Sequence, residues 1–317
     1  MHPSRLWTTV GVLTLLPVLV LAGCGRAGPI TLGVAADDVA ALDSFSDVAG
    51  APVGVYQWYQ AWAGRPPLDT ARADAVAARG VLPLLTWEPW SPGAGVDQPD
   101  YSLASIVGGV HDVYVRAFAR QVRDWGGRLG IRFLHELNAP HYPWSTGVNG
   151  NDPDESVAAW HHVRQLFEEE GADDVLWVWS VNVHAPGTAS YAALYPGDDV
   201  VDWVAVDGYN GGTALPWGGW RSPEEVFGES LADLRRLSDR PLAITETGSS
   251  EEGGDKAAWI EALFELALDE GVRVVIWFQY DKETDWRATS SPAAADALRR
   301  SATAPGRITA SWPSDPS

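Results

Sequence analysis

Two adjacent residues in the middle of the chain, His135 and Glu136, are of the types that bind metals or transfer protons. They lie in the stretch FLHELNAPHYPW (133–144). A helical zinc motif would need a second histidine four residues after the first, so that both ligands share one helical face. The next histidine is His141, six residues on, and Pro140 would interrupt the helix. The spacing therefore excludes this zinc motif, and the sequence implies no cofactor. Glu136 must have a role other than binding zinc.

Other acidic residues also follow apolar runs. Glu88 comes after Trp87, Asp207 lies near Tyr209, and Glu246 ends the run PLAITE. Two carboxyl groups can serve hydrolysis as nucleophile and general acid/base. Aromatic faces beside them suit sugar rings, whose C–H surfaces stack while their hydroxyls seek polar partners.

Eight apolar runs rich in β-branched residues recur along the chain. Runs that are continuous rather than alternating are typical of strands covered on both faces, as in a parallel sheet. The predicted strands are residues 30–35, 53–59, 81–87, 131–136, 175–182, 201–209, 241–247 and 272–278.

Helical patterns separate these runs. Asp152 predicts an N-cap, with Pro153 at the first helical position and a natural stop at Gly171. Eight strands alternating with helices predict an α/β fold of the (β/α)8 TIM-barrel type. A doubly wound sheet is the alternative, but no glycine-rich phosphate loop follows the first run. In a barrel the carboxyl ends of the strands would bring the acidic residues to one rim.

Several stretches together resemble glycoside hydrolase family 26, a clan A family of retaining glycosidases best known for endo-β-1,4-mannanases. The matching stretches are IRFLHELNAPHYPWS, VAAWHHVRQLFEEEGADDVLWVWSVN, YPGDDVVDWVAVDGYN, PLAITETGS and DWR (285–287). The resemblance covers most of the chain from about Ile106 to Arg287.

The resemblance implies roles for particular residues. Glu136 would be the general acid/base and Glu246 the nucleophile, with Tyr209 bonding the nucleophile and Trp144 stacking on a sugar. It also implies substrate contacts for His135, Trp286 and Arg287, and the strand ends add Trp87, Glu88 and Asn182.

Five of these assignments have structural alternatives, among them Glu246 as a helix cap and Tyr209 as plain packing. Glu88 either binds substrate hydroxyls or caps the segment that follows it. His135 could be a core histidine, and Glu136 could be a buried carboxylate paired with Arg132. No metal ligand set is predicted.

The predicted activity is hydrolysis of a neutral β-linked polysaccharide by a retaining endo-glycosidase. The resemblance makes β-1,4-mannan the leading substrate, with a β-1,3-1,4-glucanase or β-1,3-xylanase as alternatives on the same framework. A different class of function, a non-catalytic glycan-binding lipoprotein, remains open at this point. The formal net charge of −20 argues against nucleic acid and anionic membranes as partners.

The N-terminus has the pattern of a processing signal. Residues 1–23 contain a short apolar run, and Leu21-Ala22-Gly23-Cys24 resembles a bacterial lipobox. The predicted organisation is a signal peptide (1–23), a lipid-bearing Cys24 with a short tether (24–30), a catalytic barrel (31–300) and a flexible tail (301–317). We expect a monomer outside a bacterial membrane, bound to it only through the lipid, with simple secretion as the alternative. As the sole cysteine, Cys24 forms no intrachain disulfide.

Overall fold

A computed structural model describes residues 28–313 of the chain. The predicted signal peptide and Cys24 lie outside the described residues, as do residues 314–317. No helix in the part of the chain that the structure describes has the length and hydrophobicity needed to cross a bilayer.

Eight parallel strands form a closed barrel. Each strand pairs with the next along the chain, and the eighth pairs with the first, which closes the sheet. The strands are β1 (Ile30–Ala35), β2 (Val55–Ala61), β3 (Leu82–Glu88), β4 (Leu129–Phe133), β5 (Val175–Asn182), β6 (Trp203–Asn210), β7 (Leu242–Ser249) and β8 (Val272–Phe278). The predicted (β/α)8 fold is confirmed.

Helices lie between the strands and cover the outside of the barrel. They are α1 (Ala40–Ala49), α2 (Thr70–Ala77), α3 (Leu103–Val107), α4 (Asp112–Trp125), α5 (Pro153–Glu169), α6 (Tyr191–Leu194), α7 (Pro223–Leu237), α8 (Lys256–Asp269) and α9 (Pro292–Thr303). The N-cap predicted at Asp152 is present as a capping box with Glu155. A capping box of this kind satisfies backbone N–H groups that have no partner within the first turn of the helix.

The core has two layers, because strand side chains alternate between the barrel interior and the helices. Inward-facing residues such as Leu84, Val178 and Ala205 fill the interior. Outward-facing residues such as Leu85 and Val204 pack against the helices. A polar or acidic residue at an inward position near the carboxyl end of a strand therefore faces the rim of the barrel.

The C-terminal segment differs from the predicted flexible tail. Helix α9 continues to Thr303, and a ninth strand, β9 (Ile308–Thr309), pairs in parallel with the start of β1. β2 begins pairing with β1 only at Gly33, so the lower edge of β1 is open to another strand. The hydroxyl of Thr31 donates to the Ser311 carbonyl at 2.6 Å, and this segment closes the lower end of the barrel.

Candidate active site

Glu246 reaches the barrel interior because of an irregularity in β7. Strict alternation along β7 would place Ala243 and Thr245 inside and Glu246 against the helices. The pairing register shifts by one residue, so that Val206 faces Ile244 but Asp207 faces Glu246. A bulge of this kind redirects a side chain.

Both carboxylate oxygens of Glu246 have partners. Oε1 accepts a hydrogen bond from Arg132 Nη2 at 2.5 Å, and Oε2 accepts one from the Tyr209 hydroxyl at 2.6 Å. Glu246 is 7% exposed, so it is accessible only from the rim. A buried guanidinium and a phenol thus hold the carboxylate in one orientation.

Beneath Glu246 lies a buried polar network. Arg132 is fully buried, and its Nη2 lies 3.4 Å from Asp207 Oδ2. Asp207 also accepts hydrogen bonds from Ser180 and Thr245, both at 2.7 Å. Burial opposes protonation of Arg132, but the charges of Asp207 and Glu246 outweigh it and raise the pKa of Arg132. Arg132 is therefore the partner of Asp207 and Glu246, which argues against the alternative in which it pairs with Glu136.

Glu136 lies just past the end of β4, on a sharply bent segment. The sequence predicts that this strand extends to Glu136, but it ends at Phe133. Leu134 and Glu136 both have left-handed backbones, with φ of 51° and 54°. Such conformations are uncommon for residues other than glycine and indicate local strain. The Glu136 amide donates to the Ser180 carbonyl at 3.0 Å, which fixes the bend against β5.

Burial raises the pKa of Glu136 well above its usual range, and the charges of Asp207 and Glu246 raise it further. Arg132 and the Asn182 side chain oppose the shift. Asn182 is held through its backbone, which exchanges hydrogen bonds of 2.8 and 2.9 Å with the Asn138 side chain. Glu136 is thus stabilised in its protonated form, the form of an acid that can donate.

His135 and Glu88 form a second pair at the rim. Their side chains are 3.9 Å apart, between Nε2 and Oε1. Burial lowers the pKa of His135 well below its usual range, and Arg132 adds to the effect, so the imidazole is neutral. Burial also raises the pKa of Glu88 to about 7. The carboxyl group of Glu88 faces His135 across the site, which favours substrate contact over capping.

Trp144 does not occupy the sugar-stacking position that the resemblance implies. It is 0% exposed, and its indole N–H donates to the His135 carbonyl at 2.8 Å. The ring of Tyr142 stacks on it, with centroids 4.4 Å apart and an interplanar angle of 5°. Tyr142 is partly exposed. Tyr142 is therefore the ring available to a ligand, and Trp144 supports it from behind.

Trp87 also lies away from the site, contrary to prediction. Alternation along β3 turns it toward the helices, while Glu88 faces inward. Trp87 is fully buried, and its ring centroid lies 4.7 Å from that of Trp62 and 4.5 Å from that of Phe118. It belongs to the outer core.

The segment after β8 contributes one side chain to the site. Trp286 packs beside Tyr209, with ring centroids 4.8 Å apart. Arg287 is turned toward Asp285, with an Nη2–Oδ2 distance of 2.5 Å. The structure thus brings Glu88, His135, Glu136, Asn182, Tyr209, Glu246 and Trp286 together. The side chain of Arg287 instead pairs with Asp281 and Asp285 in its own segment.

Besides Tyr142, two residues of the site, Gln57 and Tyr59, were not identified from the sequence. The side-chain amide of Gln57 lies 3.1 Å from both the Tyr59 hydroxyl and Arg132 Nη1. Burial raises the pKa of Tyr59 well above its usual range, and the charge of Glu246 adds to this. The available signal was a glutamine two residues before a tyrosine within an otherwise apolar strand, since that spacing puts both on one face.

A closed (β/α)8 barrel with glutamates at the ends of β4 and β7, among tyrosine and tryptophan, defines the class of barrel glycosidases. Residues 87–229 match the model of glycosyl hydrolase family 26. Endoglucanase H of Acetivibrio thermocellus is 34% identical over 265 residues, which are 82% of this chain and 28% of that protein. The chain belongs to glycosyl hydrolase family 26.

A second curated relative and a solved structure are similar to the chain at lower identity. Beta-1,3-xylanase TXYA of a Vibrio species is 23% identical over 272 residues, covering 79% of this chain and 56% of that protein. The solved structure of a GH26 β-mannanase from Bacteroides ovatus superposes with a TM-score of 0.68 at 20% identity, covering 90% of this chain and 91% of that one. This likeness shows the shared fold. The chain spans between 28% and 56% of the length of the curated relatives named here.

Proposed function

We propose that this protein is a retaining endo-glycosidase that cleaves a neutral β-linked polysaccharide. The observation that carries the proposal is the contrast between two glutamates at one rim. Glu246 is held by Arg132 and Tyr209, whereas burial and neighbouring carboxylates keep Glu136 protonated. Two carboxyl groups with opposed environments are the requirement for a nucleophile and an acid in one site.

The reaction then has two steps. The Glu246 carboxylate attacks the anomeric carbon as Glu136 gives its proton to the departing glycosidic oxygen, which leaves a glycosyl ester on Glu246. Once the leaving sugar departs, ionised Glu136 takes a proton from water, and that water cleaves the ester with net retention. Tyr209 and Arg132 hold the carboxylate in place for attack.

The surroundings support a neutral sugar as the substrate. Neutral His135, with the protonatable Glu88 beside it, offers hydrogen bonds to hydroxyl groups without requiring an opposite charge. The partly exposed ring of Tyr142 offers a stacking face. A chain with a net charge of −20 would repel an anionic polysaccharide.

For the sugar backbone we place β-glucan before β-mannan. The relative named Endoglucanase H matches 82% of this chain at 34% identity, whereas the relative named a mannan endo-1,4-beta-mannosidase matches 51% at 26%. This changes the order of substrates from the sequence analysis, in which β-mannan leads. β-1,3-Xylan remains the third candidate.

The purified protein should be incubated with mixed-linkage β-glucan, β-mannan and β-1,3-xylan, and new reducing ends measured. We expect turnover on the glucan, a steep fall in substrate viscosity from internal cleavage, and no turnover by Glu246→Gly. Binding to a glycan without turnover of any of the three would instead support the non-catalytic class of function.

We further propose that the protein is lipid-anchored at Cys24 on the outer side of a bacterial membrane. The support is the lipobox-like sequence and the position of Ile30, which begins β1 at the end of the barrel opposite the candidate site. A tether there would leave the cleft facing away from the membrane. We also propose a monomer, since the expected substrate contacts all come from one chain.

The anchor predicts a change in partitioning. In a bacterial host that processes lipoproteins, Cys24→Ala should move the protein from the detergent phase to the aqueous phase in Triton X-114 extraction. Its activity per molecule should stay the same, which serves as the control for folding. Equal partitioning of the two proteins would contradict the anchor.

A further inference from the structure

Lys256 is a buried lysine outside the set of residues assigned so far. It begins α8 and is 1% exposed. Its ammonium group donates to the carbonyls of Asp285 and Arg287 at 3.1 and 2.8 Å, and to the Ser290 hydroxyl at 2.8 Å. A cation at a helix N-terminus opposes the helix dipole, and burying it costs solvation. Three acceptors for three N–H groups offset that cost.

These acceptors lie on the segment between β8 and α9, residues 279–291, which we call the β8–α9 segment. Three consecutive backbone carbonyls of this segment accept hydrogen bonds from side chains of α8 and β8. Those of Asp285 and Arg287 accept from Lys256, and that of Trp286 accepts from the Trp277 indole at 2.9 Å. The backbone on both sides of Trp286 is therefore fixed by a single ammonium group.

Trp286 in turn contacts the residues around the nucleophile. Its ring packs against Tyr209, whose hydroxyl bonds Glu246 at 2.6 Å. It also lies close to β7, because a Cβ added to Gly248 would be 3.2 Å from the Trp286 Cβ. A shift of the β8–α9 segment would thus change the packing of the side chain that orients Glu246.

We propose that Lys256 is a positioning residue, which holds Trp286 against Tyr209 and so keeps Glu246 aligned for attack. This inference rests on the proposed glycosidase function and adds a determinant of its rate. Burial lowers the pKa of Lys256 to about 8, and Arg287 lowers it further, whereas Glu251 and Asp285 oppose the shift. Because this pKa lies above 7, the lysine carries its proton at neutral pH. Glu251 is linked to Lys256 through Ser290, whose hydroxyl accepts from the ammonium group and donates to Glu251 at 2.5 Å.

A double-mutant cycle tests the assignment. Lys256→Met, which keeps an apolar stem but donates no hydrogen bond, should lower kcat on the best polysaccharide by about tenfold while KM changes less than about twofold. In a Trp286→Ala background the same substitution should lower kcat by less than about twofold, because residues acting through one contact are not additive.

Leu263→Ala is the matched control, since it removes a buried core side chain from the same helix while every hydrogen bond of Lys256 stays in place. Its kcat at 25 °C should stay within about twofold of wild type despite a lower Tm. If Lys256→Met fails to fold, Ser290→Ala removes one acceptor, and its loss of about threefold in kcat should likewise disappear in the Trp286→Ala background.

An equal loss in both backgrounds, or no loss in either, overturns the role of Lys256 while leaving the function of the protein intact. A wild-type protein inactive on all three polysaccharides overturns the proposed function and this role with it. The two failures are thus distinguishable by the wild-type assay alone.

Discussion

Glu136 and Glu246 are the same residue type, and their surroundings alone assign them different chemistry. Glu246 accepts hydrogen bonds from Arg132 and Tyr209 on its two oxygens. Glu136 carries a raised pKa because it is buried near Asp207 and Glu246. Each role can be tested at a single residue.

On an aryl glycoside whose phenolate leaves without protonation, Glu136→Ala should still form the glycosyl ester but hydrolyse it slowly. A burst of phenolate should precede a slow steady state, and azide should rescue turnover and give the β-glycosyl azide. In Glu246→Gly, azide can enter the vacated space and should give the α product. Swapped product configurations, read by NMR, would mean that the two roles are exchanged.

Tyr142 and Trp144 are stacked on each other, yet we expect their substitutions to act on different properties. Tyr142→Ala should cost about 1–3 kcal/mol of transition-state binding, by analogy with bases stacked on aromatic side chains. Trp144→Ala should cost about 3–5 kcal/mol of folding free energy, because its ring is fully buried.

The two effects separate in kcat/KM and in chemical denaturation. Tyr142→Phe keeps the ring and serves as the control. A loss of kcat/KM in Trp144→Ala, with the stability unchanged, would restore Trp144 to the substrate platform.

At the scale of elements, short irregularities within or just after the strands decide where the two glutamate side chains point. The bulge in β7 brings Glu246 inside, and the bend after β4 aims Glu136. β9 acts at the other end of the barrel, where it covers the open edge of β1. Elements at the lower end should therefore affect stability and leave catalysis unchanged.

Deletion of residues 304–317 should lower Tm by several degrees, since it removes the β9 pairing and the hydrogen bond from Thr31 to Ser311. At 25 °C the folded fraction should keep the kcat of the full chain. A fall in kcat at unchanged Tm would show that the lower end communicates with the site.

At the scale of the whole molecule, ionisation of buried carboxyl groups links stability to pH. Burial raises the pKa of Glu88 to about 7, so folded Glu88 holds its proton where the unfolded chain has lost it. A carboxyl with a raised pKa contributes stability below its unfolded pKa of about 4.3 and loses it as pH rises through the folded value.

Glu88→Gln mimics the protonated form and should isolate this contribution. Its free energy of unfolding should be close to that of wild type at pH 4 and higher by no more than about 4 kcal/mol at pH 8. Urea denaturation of both proteins at the two pH values measures the difference. The same difference at both pH values would show that Glu88 does not titrate with folding.

Sequence alone determined the barrel and most of its rim. Continuous apolar runs can be buried only in a sheet covered on both faces, so eight of them separated by helices predict the fold. The position of Glu136 after one run and Glu246 after another then predicts a shared rim. Asp152 and Gly171 predicted the two ends of a helix, because helix capping depends on residues that are neighbours in the sequence.

Only the tertiary structure decided which side each aromatic faces and which polar groups meet. The family resemblance implies that Trp144 is a platform, but Tyr142 covers it, and no local pattern encodes that order of stacking. Strand alternation would turn Glu246 toward the helices, and it points inward because pairing with β6 accommodates an extra residue. Lys256 contacts residues about thirty positions away. Such contacts depend on how distant segments pack, and a single sequence does not contain that distance information.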